Sequence, residues 1–202
     1  FKFRDVRQTF VGGVPVIINR ISFSGELGYE IYCKPQYLTR LADAIEEASA
    51  DLSFRWYGAR ALLSMRLEKG WGAWTMEYRP DFNAVESGMD VFINWKKDFV
   101  GKEATLKARD EGVSQKLVMM VISTDGIDVV HDEAILKDGT PVGYVSSGGY
   151  AHHVCQSMAM GYVADEFAAP GTTLQVEILG NFYDAEVLAG PIYDGNGVNM
   201  RS

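Results

Sequence analysis

Ile21-Ser22-Phe23-Ser24-Gly25-Glu26-Leu27-Gly28-Tyr29-Glu30-Ile31-Tyr32 is the stretch whose reading decides the fold. A run from Val14 to Phe23 enters it as a strand, with Ile17, Ile21 and Phe23 on one face and Val16 and Ile18 on the other. That pattern predicts burial on both sides, interrupted by Asn19 and Arg20. Gly25 and Gly28 then supply the positive φ values that a tight turn demands, and Tyr29 to Cys33 reads as a second strand. Glu30 stands in it between Tyr29 and Ile31, where a core residue belongs.

An unpaired carboxylate in a core strand is costly, so it must meet an arginine, a set of N–H donors or a ligand. Two readings stay open. One is an ion pair with Arg60 or Arg66 that ties two elements together. The other is a ligand with two adjacent N–H groups, which a carboxylate accepts side by side and which an amino-oxo heterocycle such as a pterin presents.

Working outward, Pro35 suits the first turn of a helix, and Leu38, Leu41, Ala42, Ile45 and Ala48 follow at helical spacing with Arg40, Asp43, Glu46 and Glu47 toward solvent. A second helix is expected over Tyr57 to Lys69, with Ala59, Leu62, Leu63 and Leu67 as its apolar stripe and Gly70 as its stop. Trp71 to Glu86 is aromatic and aperiodic, an ordered loop of the kind that carries function. Val91 to Trp95 reads as a short strand and Gly101 to Glu111 as a short helix.

From Gly112 to Gln115 the pattern changes from mixed helix and strand to strands alone, which places a domain boundary there: residues 1–112 and 113–202. Leu117 to Ile122 is apolar throughout, as in a strand buried on both faces. Asp138-Gly139 signals a hairpin between Ala134–Lys137 and Pro141–Ser147. Gly180-Asn181 signals another. Pairing Leu179 with Phe182 sets Ile178 against Tyr183, Val176 against Ala185 and Leu174 against Val187, with Glu177 opposite Asp184 on the solvated face. The second domain is then a small antiparallel barrel or sandwich.

Composition narrows the function. The chain has 202 residues, 47% hydrophobic and 23% charged, which is the balance of a globular protein able to bury a core without metal or disulfide staples. The net charge of −8 and the shortness of the densest basic cluster, Lys96-Lys97, argue against nucleic-acid and anionic-membrane partners. Cys33 and Cys155 form no framework and favour a reducing compartment. No dinucleotide fingerprint, phosphate loop or serine elbow occurs, and His131, His152 and His153 lack zinc-ligand spacing with either cysteine. The chain starts at Phe1 in mid-pattern, as a piece of something longer is expected to.

The blocks GELGYEIY (25–32) and GARALLSMRLEKG (58–70) together resemble the folate-binding aminomethyltransferase family, the glycine-cleavage T-protein and its relatives. NAVESGMD (83–90), WKKDFVGKEA (95–104), PVGYVSSGGY (141–150) and SMAMGYV (157–163) fit the same family. LEKGWGAW and DFVGKEA are most similar to the T-protein-like C-terminal half of dimethylglycine and sarcosine dehydrogenases. The resemblance implies an α+β fold: the C-terminal part of a folate-binding core, with mixed helices and antiparallel sheet, followed by a small β-barrel. It also implies tetrahydrofolate as cofactor, with Glu30 on the pterin edge, Arg60 orienting it or meeting the anionic part of folate, and Tyr29 and Trp74 as ring contacts. No catalytic residue is expected in this chain, because the family's catalytic aspartate lies upstream. FAD in a preceding domain, a small-molecule amine donor, and a cytoplasmic or, in a eukaryote, mitochondrial-matrix location complete the expectation. Asn83-Ala84 stands where the family usually has Thr-Pro, and Ala151 and Cys155-Gln156 where relatives have Gly and Gly-Lys.

Overall fold

Two glycines open the structure. In the computed structural model, which describes residues 1–202, Gly12 and Gly13 adopt φ +55° and +82° and turn β1 (Val6–Val11) into β2 (Val14–Asn19). Only left-handed residues match the twist of a two-residue hairpin, so this Gly-Gly pair sets the register Val11↔Val14 to Val6↔Asn19. β3 (Glu30–Tyr32) pairs antiparallel on the other side of β2, completing a sheet of order β1-β2-β3.

The expected Val14–Phe23 strand is shorter and one-sided. Val14 and Val16 are buried with Leu41 of α1 (Leu38–Ala48), and Ile18, Ile31 and Ile45 pack around them, whereas Ile17 is exposed. The reason is that one helix covers one face, and strand side chains alternate between faces. β1 was not anticipated, since its residues are exposed and carry no core pattern. Arg20, read as an interruption, is a buried fastener. Its guanidinium donates to the carbonyls of Met200 (2.9 Å) and Ser202 (2.7 Å), which holds the short α4 (Val198–Arg201) in place.

The chain divides into two compact units, residues 1–66 with 194–202, and residues 67–193. The division falls near the end of α2 (Ala59–Glu68), which Gly70 terminates at φ +71°. Val91–Trp95 is not a strand: Asp90–Phe92 forms a 3-10 turn, with Val91 and Phe92 exposed and no neighbouring strand to pair with. α3 spans Lys102–Glu111.

In the second unit, β4 (Gln115–Ile122), β5 (Ala134–Lys137), β6 (Thr140–Ala151), β7 (Gln156–Ala164), β8 (Thr173–Ile178) and β9 (Asn181–Val187) close into an antiparallel barrel of order β4-β7-β6-β5-β8-β9. β4 is buried on both faces, as its unbroken apolar run predicts. Val118, Met120 and Ile122 enter the barrel core with Ile135, Val145, Val163 and Val176, while Met119 packs outside it with Leu67, Met158 and Met160. The fold is therefore the expected mixed helix-and-sheet portion followed by a small barrel.

One register differs. The β8–β9 turn is Leu179-Gly180, at φ +50° and +82°, so Ile178 faces Asn181, Val176 faces Tyr183 and Leu174 faces Ala185. A slip of two residues keeps every side chain on its expected face but changes its partners. It also removes the like-charge opposition: Gln175 now faces Asp184 and donates to it at 3.5 Å, and Glu177 faces Phe182.

Candidate functional site

Glu30 pairs with Asn19 and Tyr32 with Ile17, and directly opposed residues of antiparallel strands share a face. By alternation Phe10 and Pro15 lie on that face too, opposite the one that α1 covers. The result is an open, largely apolar surface with a carboxylate at one end. A groove of about 670 Å³ runs along it, lined by Phe10, Pro15, Ile17, Tyr32 and Lys34 among others.

The Tyr32 hydroxyl, which belongs to the groove, donates to Glu30 Oε2. That bond, with the nearby Glu30 charge and some desolvation, raises the Tyr32 phenol above its ordinary pKa and keeps it a donor at neutral pH. Glu30 is half-buried rather than fully buried, and neither Arg60 nor Arg66 forms an ion pair with it. The internal ion-pair reading of Glu30 therefore fails. A tyrosine two residues along the same strand and face satisfies one carboxylate oxygen instead, leaving acceptor capacity for a pair of N–H donors.

Arg60 lies in the first turn of α2, exposed, with its guanidinium available to an anion. Tyr29 is engaged within the first unit, stacked on Phe1 at 5.6 Å between ring centroids, with the Arg20 guanidinium over its ring at 5.2 Å. Trp74 belongs to the second unit and is 81% exposed, its ring edge-on to Tyr78 at 6.0 Å.

The sequence reading missed the best-satisfied polar group of the second unit. Glu77 is fully buried, yet its Oε1 accepts from the hydroxyls of Ser146 (2.7 Å) and Ser147 (2.5 Å), and its Oε2 from the Ala73 N–H (2.8 Å). The Tyr162 hydroxyl donates to the Glu77 carbonyl at 2.8 Å, and burial pushes that phenol's pKa far up. Glu68, in the GARALLSMRLEKG block, is also buried and accepts the His153 N–H at 2.6 Å. The only sequence signal for Glu77 is the adjacent polar pair Ser146-Ser147 inside an otherwise apolar strand.

Comparison with known proteins agrees with this architecture. Residues 1–97 match the family model described as the GCVT N-terminal domain, and residues 115–194 match the glycine cleavage T-protein C-terminal barrel domain. The chain belongs to the glycine-cleavage T-protein family. Within it, human mitochondrial dimethylglycine dehydrogenase is 34% identical over 194 residues, covering 95% of this chain and 22% of that protein. The aminomethyltransferase of Halothermothrix orenii is 31% identical over 191 residues, covering 94% of this chain and 53% of the relative. A 4-methylaminobutanoate oxidase (formaldehyde-forming) of Paenarthrobacter nicotinovorans is 32% identical, covering 90% of this chain and 22% of that protein. In fold, the crystal structure of the glycine cleavage system aminomethyltransferase T from Bartonella henselae superposes with a TM-score of 0.86 at 24% identity, over 96% of this chain and 54% of that one. This T-protein family chain thus spans about half of its aminomethyltransferase relatives and under a quarter of its dehydrogenase ones.

Proposed function

We propose that this chain is the folate-holding portion of an enzyme that transfers a one-carbon unit, aminomethyl or methylene, from a small amine donor to tetrahydrofolate. Residues 1–112 would form the C-terminal portion of the folate-binding domain and residues 113–202 its barrel. The observation that carries the proposal is Glu30: a half-buried carboxylate with no cationic partner, hydrogen-bonded by Tyr32, which itself lines an open apolar groove on the same sheet face. That donor and acceptor set fits a flat heterocycle presenting paired N–H groups. When bound, tetrahydrofolate supplies the nitrogen nucleophile that takes up the one-carbon unit.

The chain's own residues act by binding and orientation. Glu30 accepts the heterocycle's N–H edge, Tyr32 fixes the carboxylate's rotamer, and Arg60 meets folate's anionic end. Holding two reactants in register lowers the barrier without any group of this chain entering the bond changes.

The proposal includes a longer polypeptide, which the 22% share of the dimethylglycine dehydrogenase relatives that this chain covers supports, with FAD in a preceding domain for a dimethylglycine or sarcosine dehydrogenase-like parent; the mitochondrial names of those relatives fit the matrix in a eukaryote. A non-catalytic folate-binding module is the competing reading, and a folate-dependent demethylase a third. The discriminating experiment assays methylene-tetrahydrofolate formation from dimethylglycine, sarcosine or aminomethyl donors. A polypeptide extended by the preceding residues should turn over and residues 1–202 alone should not. Turnover by the 202 residues, or none by the extended protein with any donor, contradicts the proposal.

A further inference from the structure

Lys34 is a cation that the fold leaves idle. It is exposed, and its ammonium makes neither an ion pair nor a hydrogen bond within the protein. Its backbone, by contrast, is well held. Lys34 continues β3 in an extended conformation, φ −69° and ψ 145°, and its carbonyl accepts the Tyr37 N–H at 2.9 Å. Pro35 follows and opens the 3-10 turn Pro35–Tyr37 that leads into α1.

That placement sets two opposite charges on one surface. Successive side chains of an extended chain alternate between faces, so Glu30, Tyr32 and Lys34 share one, the open face of the β1-β2-β3 sheet. Lys34 lines the groove on that face together with Tyr32, Phe10 and Pro15. At about 3.4 Å per residue, Glu30 and Lys34 stand about 14 Å apart along the strand. Exposed charges at such a separation are largely screened from each other at physiological salt, so they do not form a pair. Between them the floor is apolar, with Ile17 opposite Tyr32. The face therefore offers an acceptor for N–H donors at one end and a cation at the other. A ligand that matches it is polarised in the same way: an N–H edge, a flat apolar middle and an anion at the far end.

We infer that Lys34 binds a carboxylate of the glutamyl tail of folate, and so makes the groove selective for tailed folates over bare pterins. This rests on the folate reading proposed above. The tail carries two carboxylates, so Lys34 acts beside Arg60 rather than in its place. An ammonium on a four-carbon stem is a point charge that follows a mobile partner, which suits a tail that is itself free to turn.

The test compares tetrahydrofolate with 6-methyltetrahydropterin, which keeps the reduced ring and lacks the benzoylglutamate tail. Lys34→Gln removes the charge and Lys34→Glu reverses it. Because the ammonium has no partner in the fold, both variants should keep the thermal midpoint of the parent. In calorimetric titration of the 202-residue chain at low ionic strength, the parent should bind tetrahydrofolate more tightly than the pterin. Lys34→Gln should weaken tetrahydrofolate about two- to fivefold, the range of an exposed ion pair, and Lys34→Glu should weaken it further. Neither should change the affinity for the pterin, whereas Glu30→Gln should weaken both ligands. At about 1 M salt, where the Debye length is about 3 Å, the difference between the parent and Lys34→Gln should largely vanish. Unchanged tetrahydrofolate affinity in both Lys34 variants overturns the inference and leaves the folate reading standing. Equal losses for the two ligands, or a parent that binds the pterin as tightly as tetrahydrofolate, overturn the assignment of Lys34 to the tail. No binding of tetrahydrofolate by the unsubstituted chain overturns the folate reading, and the role of Lys34 with it.

Discussion

Replacing Tyr162 by Phe removes one oxygen atom and gives two effects of opposite sign in pH. Near pH 8 the variant loses the bond to the Glu77 carbonyl and leaves that acceptor without its donor in a buried site. The cost should be about 1–2 kcal/mol. At high pH the balance reverses. Burial raises the Tyr162 phenol well above its ordinary value of 10.0, with the nearby Tyr144 and Glu77 adding to the shift. The folded chain therefore retains a proton that the unfolded chain gives up. Stability from this group is fully present below the unfolded pKa and falls as pH rises beyond it, by about 1.4 kcal/mol per pH unit for one proton. One unit above the unfolded pKa the wild-type chain has lost about 1.4 kcal/mol that the Phe variant, with nothing to ionise, keeps. The two stability curves should cross near pH 11. Urea unfolding followed by circular dichroism between pH 8 and 11.5 measures this directly, because every other titration is common to both proteins. Parallel curves with no crossing would refute the burial and donor role assigned to Tyr162.

The β8–β9 register can be tested by cross-linking: Gln175→Cys with Asp184→Cys should oxidise to a disulfide, and Glu177→Cys with Asp184→Cys should not, as mass mapping would read. Gly12→Ala should cost about 2–4 kcal/mol, since it combines a left-handed φ with a new methyl group 2.2 Å from the Ala44 Cβ. Hydrogen exchange should place that loss in residues 1–66 and spare the barrel. Arg20→Ala should release α4, raising amide exchange across 194–202 at least about tenfold, because each bond from a charged donor contributes about 1.5–3 kcal/mol. Unchanged exchange there would remove Arg20 as the fastener.

What could be read from the sequence depended on whether local chemistry or tertiary context decided each feature. Asp138-Gly139 was legible as a turn because its two residues must adopt φ +49° and +77°, which that pair tolerates. Leu179-Gly180 was not, since a leucine at φ +50° has no local reason to be there. Only closure of the barrel selects it, and the sequence-based register slipped by two while the apolar face stayed right. The β4 run was legible because a barrel wall packed on its outer side needs apolar residues at every position.

The candidate site divides in the same way. Glu30 stands out as a carboxylate within an apolar pattern, but nothing local says that its partner is the tyrosine two residues along the same face rather than a distant arginine. Glu77 gave no signal of its own, because the aperiodic segment 71–86 defines no face, and the bulge that turns Ser146 and Ser147 together exists only once β6 pairs with β7.

The central claim is that Glu30 forms the polar end of a folate site on the open face of the β1-β2-β3 sheet. Calorimetric titration of residues 1–202 with tetrahydrofolate, repeated on Glu30→Gln, tests it most directly. An amide keeps the size and the bond from Tyr32 but loses the charge and one acceptor toward the ligand. The account predicts at least a roughly tenfold loss of affinity, since a hydrogen bond to a charged group contributes about 1.5–3 kcal/mol. The thermal midpoint should stay close to that of the parent, because Glu30 pairs with no cation in the fold. Equal affinity in the two proteins would contradict the claim and remove Glu30 from the site.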